Sequence, residues 1–232
     1  MSRNHPDQLV VNDHWSDLRQ YRTMPEIDFD RLYAYRIERM REQMRTRGVG
    51  MTMLVNPISL RYAAEYRTYA LFQAHIPTTY VFVPVEGPLA IHAAYGETAM
   101  VKDVRPGRAL HYFEGGEHMV EAGEALARDI VEHLAEIGDT TNRVAVEYVN
   151  PSLTRALDRC GLDVVDGVTI AEAARVIKNE DEVNCIKWAC AVAQLGIAKV
   201  EETVKAKGYC VVVASEGASY ADGALISGSM HK

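Results

Sequence analysis

The sequence predicts an α/β domain with a mixed sheet flanked by helices, over about residues 28–168. Three observations carry this expectation. Two short apolar runs, Tyr80–Val85 and Leu89–Ala93, flank Glu86-Gly87-Pro88, which is the signature of an antiparallel hairpin. Beyond them helical and extended patterns alternate, which favours parallel pairing. Ahead of them, Leu32, Tyr35 or Arg36, Ile37, Met40 and Met44 recur at steps of three and four, so one face of a helix is apolar.

Each element has its own local reason. Asp28 is placed to cap the first helix, and Gly48 supplies the permissive residue just past its end. Arg31, Arg36, Arg39, Arg41, Arg45 and Arg47 sit mostly off the apolar stripe and alternate with Glu38 and Glu42, as on a solvated face. Met51–Val55 reads as a buried strand ended by Asn56-Pro57, with helix signals resuming from Ile58 to Ala64. A strand is expected at Ala109–Phe113, then a helix over His118–Ile137 with Val120, Leu126, Ile130, Val131 and Leu134 inward and Gly138 as its stop. Arg143–Glu147 is a strand, Pro151–Cys160 a helix opened by proline, and Leu162–Val165 a further strand. Glu114-Gly-Gly-Glu117 reads as a flexible turn, because its flanking acids would repel a phosphate.

Composition narrows the function classes. With 48% hydrophobic and 25% charged residues the chain has a globular balance. Its longest apolar runs fall short of a membrane span, and Met1-Ser-Arg-Asn-His-Pro-Asp7 lacks an apolar signal core, so a cytoplasmic protein without membrane partner is expected. A net charge of −7 argues against a nucleic-acid partner. Cys160, Cys185, Cys190 and Cys210 form no Cys-x-x-Cys pair and are expected as buried thiols. His111, His118 and His133 lack the i, i+4 spacing of a metal-binding helix.

Three phrases, in order and spacing, carry a family resemblance: Asn56-Pro-Ile-Ser-Leu-Arg-Tyr62, Arg143-Val-Ala-Val-Glu-Tyr148 and Ala173-Ala-Arg-Val-Ile-Lys-Asn-Glu-Asp-Glu182. Together they resemble the N-terminal domain of the creatinase/prolidase/aminopeptidase P family, the pita-bread metallohydrolases, over roughly residues 30–200. The resemblance implies a ribonuclease H-like fold of mixed sheet and helices, followed by a helix and a tail of uncertain structure. It divides the chain into an N-terminal arm (1–27) with an isolated Trp15, the creatinase-type N-terminal domain (28–177), a connector with the first helix of an otherwise missing catalytic domain (178–200), and a tail (201–232). In the connector, Asn179 is placed to cap a helix carrying Glu180, Asp181 and Glu182 in its first turn. Val183, Ile186, Ala189, Cys190, Ala193, Leu195 and Ile197 give that helix an apolar side, which needs a partner to cover it.

What the resemblance implies for function is a non-catalytic domain for dimerisation and substrate access in a metal-dependent Xaa-Pro peptidase or creatinase-type hydrolase. The family binds two divalent metal ions through two aspartates, a histidine and two glutamates of the catalytic domain. After Val183 this chain offers no matching set, its only histidine there being His231, so no catalytic residue, metal ligand or cofactor is assigned to it. The expected partner is a second copy or the catalytic domain itself. In the segment Tyr66–Pro77, read as a loop, Phe72 and His75 are candidates for substrate contact in trans, although a packed aromatic and a surface histidine are the plainer reading of those residues. Leu71-Phe-Gln-Ala-His75, with Arg61-Tyr62 before it, is also similar to the bacterial dimethylsulfoniopropionate lyases of the same fold. A fragment of such a lyase, or a stand-alone binding or dimerisation module, is therefore the alternative.

The tail departs from the pattern. Gly208-Tyr-Cys-Val-Val-Val-Ala-Ser-Glu-Gly-Ala218 predicts a strand and a glycine-containing loop, and resembles a short segment of phosphofructokinases without their nucleotide-binding glycine motifs. A foreign segment and a coincidental buried strand both account for it.

Overall fold

A computed structural model of the chain describes residues 25–93, 98, 100–207, 210–214 and 224–228, the last two stretches and 203–207 by backbone course only. The expected arm around Trp15, the loop after the tail strand and His231 lie outside the described residues. Tyr33–Ile177 is one compact unit, and Met1–Leu32 with Lys178–Lys232 is the other.

The first unit is built on a six-stranded mixed sheet. In chain order its elements are α1 (Phe29–Arg47, opening before the unit's first residue), β1 (Met51–Leu54), α2 (Pro57–Ala64), α3 (Ala70–His75), β2 (Tyr80–Pro84), β3 (Ala90–His92), β4 (Asp103–Arg105), α4 (Tyr112–Gly115), α5 (Met119–Glu136), β5 (Arg143–Val146), α6 (Pro151–Arg159), β6 (Asp163–Asp166) and α7 (Gly167–Arg175). The strands lie in the order β4-β3-β2-β1-β5-β6. β2 pairs antiparallel with both β1 and β3, as the hairpin signature requires. The pairs β1–β5, β5–β6 and β3–β4 are parallel.

Side chains alternate across the strands and feed two cores. Leu54, Val81, Val83 and Ala145 pack with Met40 and Met44 of α1, Leu60 of α2 and Ile170 of α7. Met51, Met53, Tyr80, Phe82 and Val144 pack on the opposite face with Leu126 and Ile130 of α5 and Leu153 and Leu157 of α6. The helix cap expected at Asp28 is present, and Asn56 and Asn150 add two that the sequence reading did not name. Asp28 accepts from the Arg31 amide at 3.0 Å, Asn56 from Ile58 at 2.9 Å, and Asn150 from Leu153 at 2.9 Å. Gly48 has φ +63° at the end of α1, a conformation only glycine takes without strain. The α1 arginines do more than face solvent. Arg41 donates to the Pro84 and Gly87 carbonyls, and Arg45 pairs with Glu38 and Glu86, so α1 is tied to the β2–β3 turn.

Several expectations are corrected. The strand expected at 109–113 is absent; the added edge strand is β4, and Pro106-Gly107 separate it from a short helix at Tyr112–Gly115. His111 favours that helix, since its Nδ1 accepts from the Phe113 amide at 3.1 Å. Glu114–Glu117 is accordingly the end of α4 followed by a single 3-10 turn. In α5, Val120 and Val131 point outward, at 52% and 39% exposure, while Gly123, Ala127 and His133 are buried. The buried stripe starts at Gly123, where the helix meets the backbone of α6, and Val131 lies one step of helical rotation off it. The segment read as a loop before Pro77 contains α3. Cys160 and Cys190 are exposed and Cys185 half-buried, so the expectation of buried thiols fails for these three.

In the second unit, α8 (Glu180–Lys207) opens with a capping box. The Glu182 amide donates to Asn179 Oδ1 at 2.9 Å, and the Asn179 amide to Glu182 Oε2 at 3.4 Å. Residues 25–31 lie along the polar side of α8. Arg31 donates twice to Asp181, at 2.6 and 2.7 Å, Asn184 donates to the Glu26 carbonyl, and the Trp188 indole to the Pro25 carbonyl at 2.9 Å. The apolar side is left outward, with Val183, Ile186 and Ile197 exposed. β7 (Cys210–Ala214) falls on the predicted tail strand and pairs antiparallel with β8 (Ala224–Gly228), which the sequence reading did not anticipate.

Candidate functional site

β1 and β5 are adjacent and parallel, and the chain leaves them in opposite directions, to β2 and to β6. Their carboxyl ends form the kind of switch point at which open α/β sheets bind ligands. Here the position is filled by the protein's own carboxylate. Glu147, directly after β5, is 1% exposed. It accepts from the amides of Val55 and Asn56, both at 2.8 Å, and from the Ser59 hydroxyl at 2.6 Å. Burial pushes its carboxyl up from the ordinary range, and the three donors only partly offset this. Gly167 makes room for the arrangement, since a β-carbon there would lie 2.8 Å from both the Glu147 nitrogen and the Val146 carbonyl carbon. Glu147 thus clamps the start of α2 to the end of β5.

Around the same end of the sheet runs an aromatic rim. Gln73 of α3 is 1% exposed and donates to the Val55 and Thr79 carbonyls at 3.1 and 2.8 Å, while its Oε1 accepts from the Thr78 amide. Pinning Gln73 inward turns its neighbours outward: Leu71 is 62% and Phe72 37% exposed. Phe72 meets Phe113 of α4 edge to face, with ring centroids 6.2 Å apart, and Phe113 is itself 70% exposed. Tyr112 is held by a 2.8 Å hydrogen bond to Glu117, which raises its phenol pKa. His75 is exposed, and its Nδ1–H donates to the Leu71 carbonyl at 2.8 Å, which orients the ring within its own helix.

The structure therefore places both sequence candidates, Phe72 and His75, on α3 at this end, and adds Phe113. Phe113 was missed because its segment was read as a strand, although His111 two residues ahead is a capping signal. The rim offers apolar and aromatic contact with an imidazole beside it, and it suits binding better than bond-making. Among the described residues no group of three or more His, Cys, Asp or Glu side chains converges to hold a metal ion, so they do not fit the two-ion set the resemblance implies. Among them, too, no helix is long and apolar enough to cross a membrane.

Residues 36–177 match the sequence model of the Creatinase/Prolidase N-terminal domain, and the chain belongs to that family. It is 26% identical over 180 residues to the dimethylsulfoniopropionate lyase DddP of Roseovarius nubinhibens, covering 75% of this chain and 40% of the relative. It is 23% identical over 186 residues to the DddP lyase of Roseobacter denitrificans, covering 78% and 42%. The chain thus spans about two fifths of the length of these curated relatives. Among solved structures, an Xaa-Pro dipeptidase from Bacillus anthracis aligns with TM-score 0.49 at 16% identity, covering 73% of this chain and 43% of that one. An aminopeptidase P from Streptococcus thermophilus aligns with TM-score 0.43 at 12% identity, covering 62% and 98%.

Proposed function

We propose that the chain serves as the non-catalytic N-terminal domain of a pita-bread enzyme, forming its dimer and shaping substrate access, with the metal-binding catalytic residues lying outside these 232 residues. The observation that carries this reading is the family match over 36–177, which ends two residues before the capping box at Asn179. The rim gives the domain its working surface. Phe72 and Phe113, already in contact, are the anchors that meet a second subunit, with His75 beside them.

For the parent enzyme, a metal-dependent Xaa-Pro peptidase or creatinase-type hydrolase and a dimethylsulfoniopropionate lyase are the two candidate chemistries. The two curated relatives are both lyases, and this favours the second. Sedimentation velocity tests the dimer role. The full chain is expected to form a dimer that Phe72→Ser with Phe113→Ser converts to monomer without loss of helical circular dichroism. A dimer unchanged by the pair of substitutions removes the rim from the interface.

A further inference from the structure

Beneath the edge of the sheet, on the face covered by α5, two imidazoles are buried that no part of the proposed function uses. His92 of β3 is 3% exposed and His133 of α5 is 2% exposed. Phe82 touches both rings, at centroid distances of 4.4 and 5.3 Å, and Tyr80 stacks on His92 at 4.6 Å. His92 Nδ1 lies 3.1 Å from the Pro106 carbonyl, which only accepts, so Nδ1 carries the proton and Nε2 is the bare nitrogen. Among the described residues, His92 Nε2 and both ring nitrogens of His133 make no hydrogen bond. His133 Nδ1 does lie 3.3 Å from Glu136 Oε2, a contact that becomes an ion pair once the ring is protonated. That same oxygen accepts from Arg105 Nη2 at 2.7 Å and thereby straps edge strand β4 to α5. A second strap follows β4, where Arg108 donates twice to Asp129 at 2.7 and 2.9 Å.

We propose that His92 and His133 form an acid-sensitive latch: protonation of the pair at mildly acidic pH draws Glu136 Oε2, already 3.3 Å from His133, off Arg105 and opens the first of the two straps between the β4 edge and α5. The charges around the pair set the direction. Arg105 faces both imidazoles and opposes their protonation, while Asp129, Asp103 and Glu136 favour it. Asp129 is engaged by Arg108 and Asp103 by Arg105, which leaves Glu136 Oε2 as the acceptor nearest a new imidazolium proton. Arg105 holds the Glu136 carboxyl below its ordinary range, so it is ionised while the latch is closed. Arg105 keeps Asp103 as partner when Glu136 turns away, so the exchange strands no cation there. At His92 there is no such relief. A proton on Nε2 enters an aromatic pocket lined by Tyr80 and Phe82, where the ring faces replace only part of the lost hydration.

Burial lowers both imidazoles from the ordinary 6.5, ahead of every other influence. The latch is therefore fully closed above that value, and stability is lost as the pH falls below it, where the open form takes up protons first. Hydrogen exchange of the full chain at residues 100–108 and 119–137 tests this. After correction for intrinsic rates, the opening constant is expected to rise about tenfold per pH unit below 6.5 for each imidazole protonated only in the open form. His92→Leu with His133→Leu is expected to abolish that rise; a rise that persists in a folded double variant overturns the latch. If the double variant does not fold, imidazole NMR titration of the unmodified chain decides. Protonation of both rings in step with loss of edge protection upholds the proposal, and protonation at or above the ordinary value with the edge still protected overturns it.

Discussion

Glu147 shows how one buried side chain fixes the geometry of an end of the sheet. Its three donors come from residues 88 to 92 positions earlier in the chain, so the clamp forms only once β1 and β5 pair. Glu147→Ala leaves two amides and a hydroxyl unpaired and is expected to cost about 3 kcal/mol or more in urea unfolding, since each buried donor left unsatisfied costs about 1–3 kcal/mol. Glu147→Gln is expected to be milder. The pH dependence has a definite sign. The folded carboxyl has a raised pKa, so its stabilising contribution is full below the ordinary 4.5 and is lost as pH rises through the folded value. A stability curve whose slope in that window is the same for Glu147→Gln and the unmodified chain contradicts this. Gly167→Ala forces a methyl group against backbone atoms that cannot yield, and a loss of about 1–3 kcal/mol is expected in thermal unfolding. No loss there means α7 shifts freely on β5.

The elements that were legible in the sequence are those with local signatures. The hairpin at Glu86–Pro88, the caps at Asp28 and Asn179, and the stripe of α1 all depend on residues within one turn of each other. Much of what was missed depends on distant partners. β4 has no apolar pattern of its own and exists because β3 offers an edge. Glu147 is visible in sequence only as the end of a strand. Phe113 is alternation-compatible, yet it belongs to a capped helical turn. α8 is the clearest case, because its stripe was read correctly and its buried side was not: Asp181 and Asn184 are buried while Ile186 and Ile197 are exposed. Asp181 is held below the ordinary carboxylate range by the Arg31 guanidinium. Its contribution is therefore present above 3.8 and is lost as pH falls through the lower folded value. Asp181→Asn is expected to loosen residues 25–31 from α8. In a Trp15→Phe background, the emission of Trp188, whose indole donates to Pro25, is then expected to shift to longer wavelength. Unshifted emission means that Arg31 and Asp181 do not hold the segment in place.

At the scale of the molecule, the chain pairs a family domain with a second unit built around α8. The first unit carries a switch point closed by Glu147 and a rim of exposed aromatics. The second leaves Val183, Ile186 and Ile197 uncovered, an apolar stripe of the kind that marks an interface. Both features are surfaces for contact, as the proposed function requires. Metal retention tests that proposed function most directly, because bound ions are what make this class of site catalytic. The purified chain, incubated with Mn²⁺, Co²⁺, Zn²⁺ or Fe²⁺ and dialysed, is expected to show no stoichiometric metal by elemental mass spectrometry. One or more ions retained per chain, with chelator-sensitive turnover of an Xaa-Pro dipeptide, creatine or dimethylsulfoniopropionate, would contradict the account.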